Sequence, residues 1–297
     1  VRLAASLTLL VLVGCSTETT VDGACPNKVR GGKAVSVAAA DAILRVSCHR
    51  RLARMPSAKA SAKVTTAAQS HTGYMRANGF TVERVGAGES LEEDPTLEGF
   101  TGASAADRLS DQGYPFDAAV TGVWLVDDVT ALGSSAWVDL MIHHPTVREI
   151  MLQPAWKDGG FARSRLSDGE RDIRDFVSLT VVYRFPSGDK KPIVYPADGQ
   201  VNVPPNWLNL GEGDVLWDKG VQGVDVGYPI TITVGGAEPA LSVLDVNPYQ
   251  LFAVSSSIMD SSGEVAHKVI HPQGPAILQN SLVLLPEAPL AERTTYY

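Results

Sequence analysis

The sequence predicts an α+β protein, helix-rich in its first half and all-β in its second. Three observations carry the prediction. Between about residues 35 and 152, alanine-rich segments repeat apolar residues at three- and four-residue spacing, the period of a helix with one buried face. Beyond residue 175 the period drops to two, in SLTVVYRF, PITITV and ALSVLDV, with Pro, Gly and Asn-rich turns between the runs. Helical runs followed by strand runs, without strict alternation, indicate an α+β unit and then an all-β one. With 297 residues, 44% hydrophobic and 20% charged, the chain is long enough for two domains of ordinary size. Its net charge of -8 argues against a nucleic-acid partner, since a phosphate backbone rewards clustered lysine and arginine.

The first stretch, VRLAASLTLLVLVGC, has a basic Arg2, an apolar run through Val13 too short to span a bilayer as a folded helix, and small residues before Cys15. It reads as an export signal over residues 1–14, and LVGC resembles the lipobox of bacterial lipoproteins, in which the cysteine is lipidated. That resemblance implies a membrane partner through a lipid anchor at Cys15. The polar, glycine-rich residues 15–34 have the composition of a tether. With Cys15 carrying lipid, Cys25 and Cys48 remain as an even pair in an oxidising compartment. A disulfide between them would close a loop of roughly 20 residues and contribute on the order of 3 kcal/mol. Two free thiols are the alternative.

Helices follow. AVSVAAADAILRVSCHRRLARM and AKASAKVTTAAQSHTGYMRANGF form the first two, the second stopped by ANG. GAGESLEEDPTLEGFTG is an acidic, turn-rich loop. ASAADRLSDQGY is a short helix with Ser104 as N-cap and Asp107 three residues on, and a longer helix runs from about Asp128 to Leu152. No internal repeat is evident.

The order of AAQSHTGYM, GFTGASAADRLSDQGY and AWVDLMIHHPTVREIMLQP resembles the bacterial branch of the CAP superfamily, the cysteine-rich secretory, antigen 5 and pathogenesis-related domain, over about residues 35–185. Asp107, Arg108, Gly113 and Tyr114 match the family's middle element, and Trp137, Arg148, Leu152 and Pro154 its last helix. The resemblance implies a three-layer α-β-α sandwich, with FVSLTVVYRF as its last strand. It also implies a cleft of two histidines and two acidic residues able to hold a divalent metal. Here the chain departs from the family. Val147 stands where the last helix should carry a histidine, Val123 stands at the glutamate position, and no histidine lies between His71 and His143.

The candidate cleft residues are therefore His71, Glu89, Glu93, His143, His144 and Arg148. His143 and His144 are adjacent, about 100° apart on a helix, whereas ligands sharing one metal lie three or four residues apart. Pro145 places the pair at a helix break, where solvated or capping imidazoles are ordinary. A residual divalent-metal role with Glu89 or Glu93 is the weaker reading, and His71 is expected to pack on its helix beside Tyr74. The acidic loop lacks the spacing of an EF-hand. No G-x-S-x-G element and no phosphate-binding loop occurs. Catalytic residues expected from the sequence: none; cofactor: none; metal: none.

Residues 186–297 read as an all-β immunoglobulin-like sandwich. YPADGQVNVPPNW resembles the opening strand of bacterial immunoglobulin-like modules, and LLPEAPLAERTTYY their closing hairpin. Trp207, Trp217 and Tyr228 are expected in core or edge packing rather than in a carbohydrate platform. The expectation is an exported bacterial envelope protein, lipid-anchored at the outer membrane or cell surface or else secreted, acting by binding an unknown protein, lipid or glycan. The competing expectation is an envelope peptide or lipid hydrolase with a rearranged His/carboxylate cleft.

Overall fold

Alanine-rich periodicity produces the first two helices of the computed structural model, which describes residues 18–31, 34–87, 89–127, 132–167, 173–184, 191–208, 225–234, 255–271 and 281–297. Helix α1 (Val37–Leu52) opens where the Ser36 hydroxyl accepts from the Ala39 N–H at 3.2 Å. It buries Ala39, Ala42, Ile43 and Val46, one stripe at helical spacing. Helix α2 (Ala62–Ala77) buries Val64, Ala67, Ala68, His71 and Met75 in the same way, and ends where Gly79 takes φ +58°. A short helix α3 (Val82–Gly86) precedes the acidic loop. Helix α4 (Ala105–Asp111) is closed by the reciprocal cap of Ser104 and Asp107 that the sequence indicates.

Three strands then form one antiparallel sheet in the order β1-β3-β2: β1 (Ala118–Asp127), β2 (Trp156–Ser167) and β3 (Ile173–Tyr183). Between β1 and β2 lie α5 (Ser134–Met141) and α6 (Pro145–Met151). On one face of the sheet Phe161, Val177, Leu179 and Val181 pack with α1, α5 and α6, and on the other Leu125, Phe176 and Val182 pack with α2 and α4. The result is helix, sheet and helix in three layers. Gly160 sets the second layer's spacing: a Cβ there would lie 2.3 Å from the Val64 carbonyl carbon, so α2 can rest on the strand only because that residue has no side chain.

The second half is strand-rich. Its described strands are β4 (Pro192–Tyr195), β5 (Asn206–Leu208), β6 (Asp225–Gly227), β7 (Ile230–Val234), β8 (Ile258–Asp260), β9 (Gly263–Val265), β10 (His267–Ile270) and β11 (Ser281–Pro286). Among the described residues they make a four-stranded antiparallel sheet, β10-β11-β7-β4, and two ribbons, β5-β6 and β8-β9. Ile193, Tyr195 and Tyr228 belong to the same core as α1, α5 and α6. The two halves thus share buried side chains.

Four sequence expectations are corrected. The single helix over 128–152 is two helices, because Pro145 supplies no N–H and starts α6 as its first residue; residues 128–131 lie outside the described residues. Strand β1 interrupts the stretch assigned to helices, and β2 follows that stretch ahead of residue 175, where strands were expected to begin. Both faces of β1 carry packed apolar residues, which removes the alternation that marks a half-exposed strand. The closing hairpin is absent among the described residues: after β11 the chain folds back through Arg293 at φ +55°, and Tyr297 exchanges backbone hydrogen bonds of 2.9 and 3.1 Å with Met259. Residues 18–31 of the expected tether lie bonded along the body. Thr19 N–H donates to Gly199 at 2.9 Å, Ala60 N–H donates to Arg30 at 2.8 Å, and a disulfide joins Cys25 to Cys48. The signal segment, Cys15 and Trp217 lie outside the described residues. No described helix is long and apolar enough to cross a membrane.

Candidate functional site

The candidate residues fall into separate places, and partner by partner their geometry decides what each can do. The His143-His144 turn lies between α5 and α6, against the second half of the chain. The His144 ring meets Trp124 of β1 edge-on at 4.2 Å and Trp207 of β5 at 5.7 Å, while His143 meets Tyr228 edge-on at 5.4 Å. The expected role was structural or solvated, and the geometry is that of the structural one: both rings are largely buried between aromatic neighbours. Burial, with Arg148 and His49 nearby, lowers the His143 pKa to about 4, and burial with His143 and Arg148 lowers that of His144 to about 3. Both stay neutral at pH 7.

Arg148, expected near a cleft, is fully buried. Its Nε donates to Ile142 at 2.8 Å and its Nη1 to Pro229 at 2.6 Å, with longer bonds to the Tyr195 and His143 carbonyls. The guanidinium also lies over the rings of Tyr195 and Tyr228, 5.0 and 4.8 Å from their centroids. It fastens the α5–α6 turn to β4 and to the β6–β7 connection. Beside it runs a chain that the sequence did not reveal. His49 Nδ1 meets the Tyr195 hydroxyl at 2.9 Å, His49 Nε2 meets Asp139 at 2.8 Å, and Arg45 donates to Asp139 at 2.6 Å. These partners are separated by up to 146 residues, so spacing carried no signal for them.

His71 and Glu93 are brought together elsewhere, on the α2 face. His71 Nδ1 lies 3.0 Å from the Glu93 carboxylate, which also accepts from the Thr101 N–H at 2.7 Å, the Thr101 hydroxyl and Arg108 at 3.2 Å. Arg108 donates in turn to the Gly102 carbonyl at 2.8 Å. Burial would raise the Glu93 pKa, but the His71 contact, the Thr101 amide and the Arg108 charge outweigh it and hold the carboxyl below its usual range. Burial and Arg108 lower the His71 pKa. This network closes the acidic loop onto α2 and α4, and both oxygens of its carboxylate are occupied. Glu89 is not part of it, being paired with Arg84.

The two valines at the expected ligand positions do not face each other. Val123 packs with the α2-side cluster and Val147 with the opposite one. The space between β1 and α6 is filled: a Cβ added at Gly122 would touch Val147 at 3.4 Å and Ile150 at 3.7 Å. Among the described residues, no three His, Cys, Asp or Glu side chains converge to hold a metal. Trp207 and Tyr228 are buried in the core, 4% and 2% exposed, which leaves no ring face open as a sugar platform.

These features define a mixed α+β protein whose first unit is a helix-sheet-helix sandwich. Among solved structures, it is similar to the 1.5 Å crystal structure of an extracellular protein containing a SCP domain from Bacillus anthracis str. Ames, at 15% identity and a TM-score of 0.33 over 50% of this chain. The matched part spans 40% of that chain. No protein-family model matches the sequence, and no curated protein matches it.

Proposed function

We propose that this chain is an exported envelope protein, a CAP-like layered unit joined to an immunoglobulin-like β unit, lipid-anchored through Cys15 and acting by binding a protein, lipid or glycan rather than by catalysis. Two features support the layered assignment: helices on both faces of a three-stranded sheet, and the order of the Asp107-Arg108 and Trp137 to Pro154 elements in the sequence. One observation carries the preference for binding. The candidate groups are held in contacts of the fold: Glu93 with His71, Thr101 and Arg108, Glu89 with Arg84, and the buried rings of His143 and His144 and the Arg148 guanidinium in the contacts between the two halves. A general base must reach a substrate proton, and a tight zinc site needs three or four converging ligands.

Calorimetric titration of the purified protein with zinc tests this reading, and weak or absent binding is expected. Micromolar or tighter binding, lost in His71→Ala or His144→Ala, would overturn it and favour the hydrolase. Detergent partitioning of the Cys15→Ala variant tests the anchor separately. An unchanged, lipid-free mature product from both proteins would sink that part alone.

A further inference from the structure

We propose that the edge of the layered unit around Tyr114 is a docking face for an anionic lipid surface. Five cations meet there from four segments of chain. Ala60 bonds the Arg30 carbonyl at 2.8 Å, which sets Arg30 beside Lys59, and the Lys59 ammonium lies 3.2 Å from Asp158. The Tyr114 hydroxyl donates to the other oxygen of Asp158. Lys157 lies over the Tyr114 ring at 4.9 Å and donates to the Pro115 carbonyl at 2.9 Å, Lys63 donates to Gly113 at 3.2 Å, and the Arg184 N–H donates to the Ala155 carbonyl at 2.8 Å, two residues from Lys157.

Of these cations, Arg30, Lys59, Lys63 and Arg184 are exposed, while Asp158 is buried and so offsets charge inward rather than toward solvent. Counting Asp158 and the exposed flanking Asp111 and Asp117, five cations against three carboxylates leave +2. The whole chain is -8, so everything outside this edge sums to -10. An anionic bilayer repels the remainder and attracts this edge, which fixes the orientation of approach.

The lipid anchor of the proposed function strengthens the case, and this step rests on it. Thr19 is pinned to Gly199 and lies four positions after Cys15, a reach of about 14 Å at most. A body tethered that close stays at the bilayer, so the charges on whichever edge faces the headgroups come within the range of their surface charge, about 10 Å at moderate salt. A lipid surface therefore fits better than a dissolved polyanion.

The test compares full-length proteins for binding to phosphatidylcholine vesicles with and without phosphatidylglycerol, at low and high salt. Lys63→Gln/Lys157→Gln removes two charges from the face. Arg76→Gln/Arg293→Gln removes two elsewhere, with Arg76 about 20 Å along α2 from Lys63. All samples carry the same N-terminal segment and both doubles have the same net charge, so their difference reads the face. The first double is expected to weaken binding to the anionic vesicles about twentyfold and the second about twofold or less, with the gap closing in high salt. Equal behaviour of the two doubles, or binding indifferent to phosphatidylglycerol, overturns the proposal. Heparin binding is measured alongside as the dissolved polyanion, and a loss confined to heparin with vesicle binding intact also overturns it. A chain shown to carry no lipid at Cys15, yet with the twentyfold difference preserved, refutes the anchor and leaves the docking face standing.

Discussion

Arg148→Met should loosen the joint between the two halves, and its cost follows from the contacts of that one side chain. The guanidinium bonds two buried carbonyls closely, Ile142 at 2.8 Å and Pro229 at 2.6 Å. Each loses its partner in the variant, at about 1–3 kcal/mol apiece. Two ring contacts, over Tyr195 and Tyr228, contribute about 1 kcal/mol each. Against this stands relief of a buried cation that has no carboxylate among these partners, worth a few kcal/mol. The net expectation is a loss of about 2–4 kcal/mol, a large share of the roughly 5–15 kcal/mol that holds a domain folded. Urea unfolding followed by tryptophan emission measures it, since Trp124 and Trp207 flank the His143-His144 turn. Arg148→Lys should recover little, because an ammonium cannot fork across carbonyls on separate elements. A midpoint for Arg148→Met that corresponds to less than about 0.5 kcal/mol would refute the reasoning and show that the halves are held together without this residue.

Two further predictions follow. Stability should fall on acidification from pH 7 to 4. The folded His143 and His144 pKa values of about 4 and about 3 lie below the unfolded value near 6.5, so the unfolded chain takes up protons first; their contribution is intact above about 6.5 and lost as pH drops toward 3. His49 and His71, and the carboxylates of Glu93, Asp139 and Asp175, are lowered too and add to the same trend, so His143→Gln/His144→Gln should reduce the slope of stability against pH below about 6.5 without abolishing it; an unchanged slope rejects the assignment. Gly160→Ala should cost about 2–3 kcal/mol, because its Cβ meets the α2 backbone at 2.3 Å, whereas Gly73→Ala, on the same helix with nothing within 4 Å, should gain about 0.5–1 kcal/mol. Equal melting shifts for the two would show that α2 does not rest on β2.

The helices of the first half were readable because each buries one stripe at a fixed period and carries its own stop and start signals, as at Asn78-Gly79 and Ser104-Asp107. Strand β2 was not. WKDGGFARSRLS looks like a polar loop, and becomes a strand because Gly159 and Gly160 admit two helices and because Arg163 and Arg165 both find Asp175 on β3, at 2.6 and 2.8 Å. Those partners are supplied by the fold, and no local window contains them. Among the candidate residues, the pairing of His71 with Glu93 was within reach, since an acidic loop that follows a helix naturally closes back on it. The His49–Asp139 contact was not, because the two residues come from different helices with no shared pattern.

The adjacent histidines illustrate why a stretch can look like a site and be a joint. A metal or a reacting group needs side chains that converge on one point. Neighbouring positions at a helix break diverge instead, and here that divergence is put to use: one ring turns to β1 and β5, the next to Tyr228, and Arg148 behind them gathers carbonyls from both halves. Aromatic and basic residues are favoured in such a place because each offers a large packing surface with a polar edge, which lets a junction bury area without stranding backbone oxygens. The spacing that argues against metal binding is therefore the same spacing that argues for a contact with two elements at once. Read that way, His-His-Pro-x-x-Arg between a tryptophan-bearing helix and a strand-rich segment predicts a domain junction, and the Arg148 variants measure whether it is one.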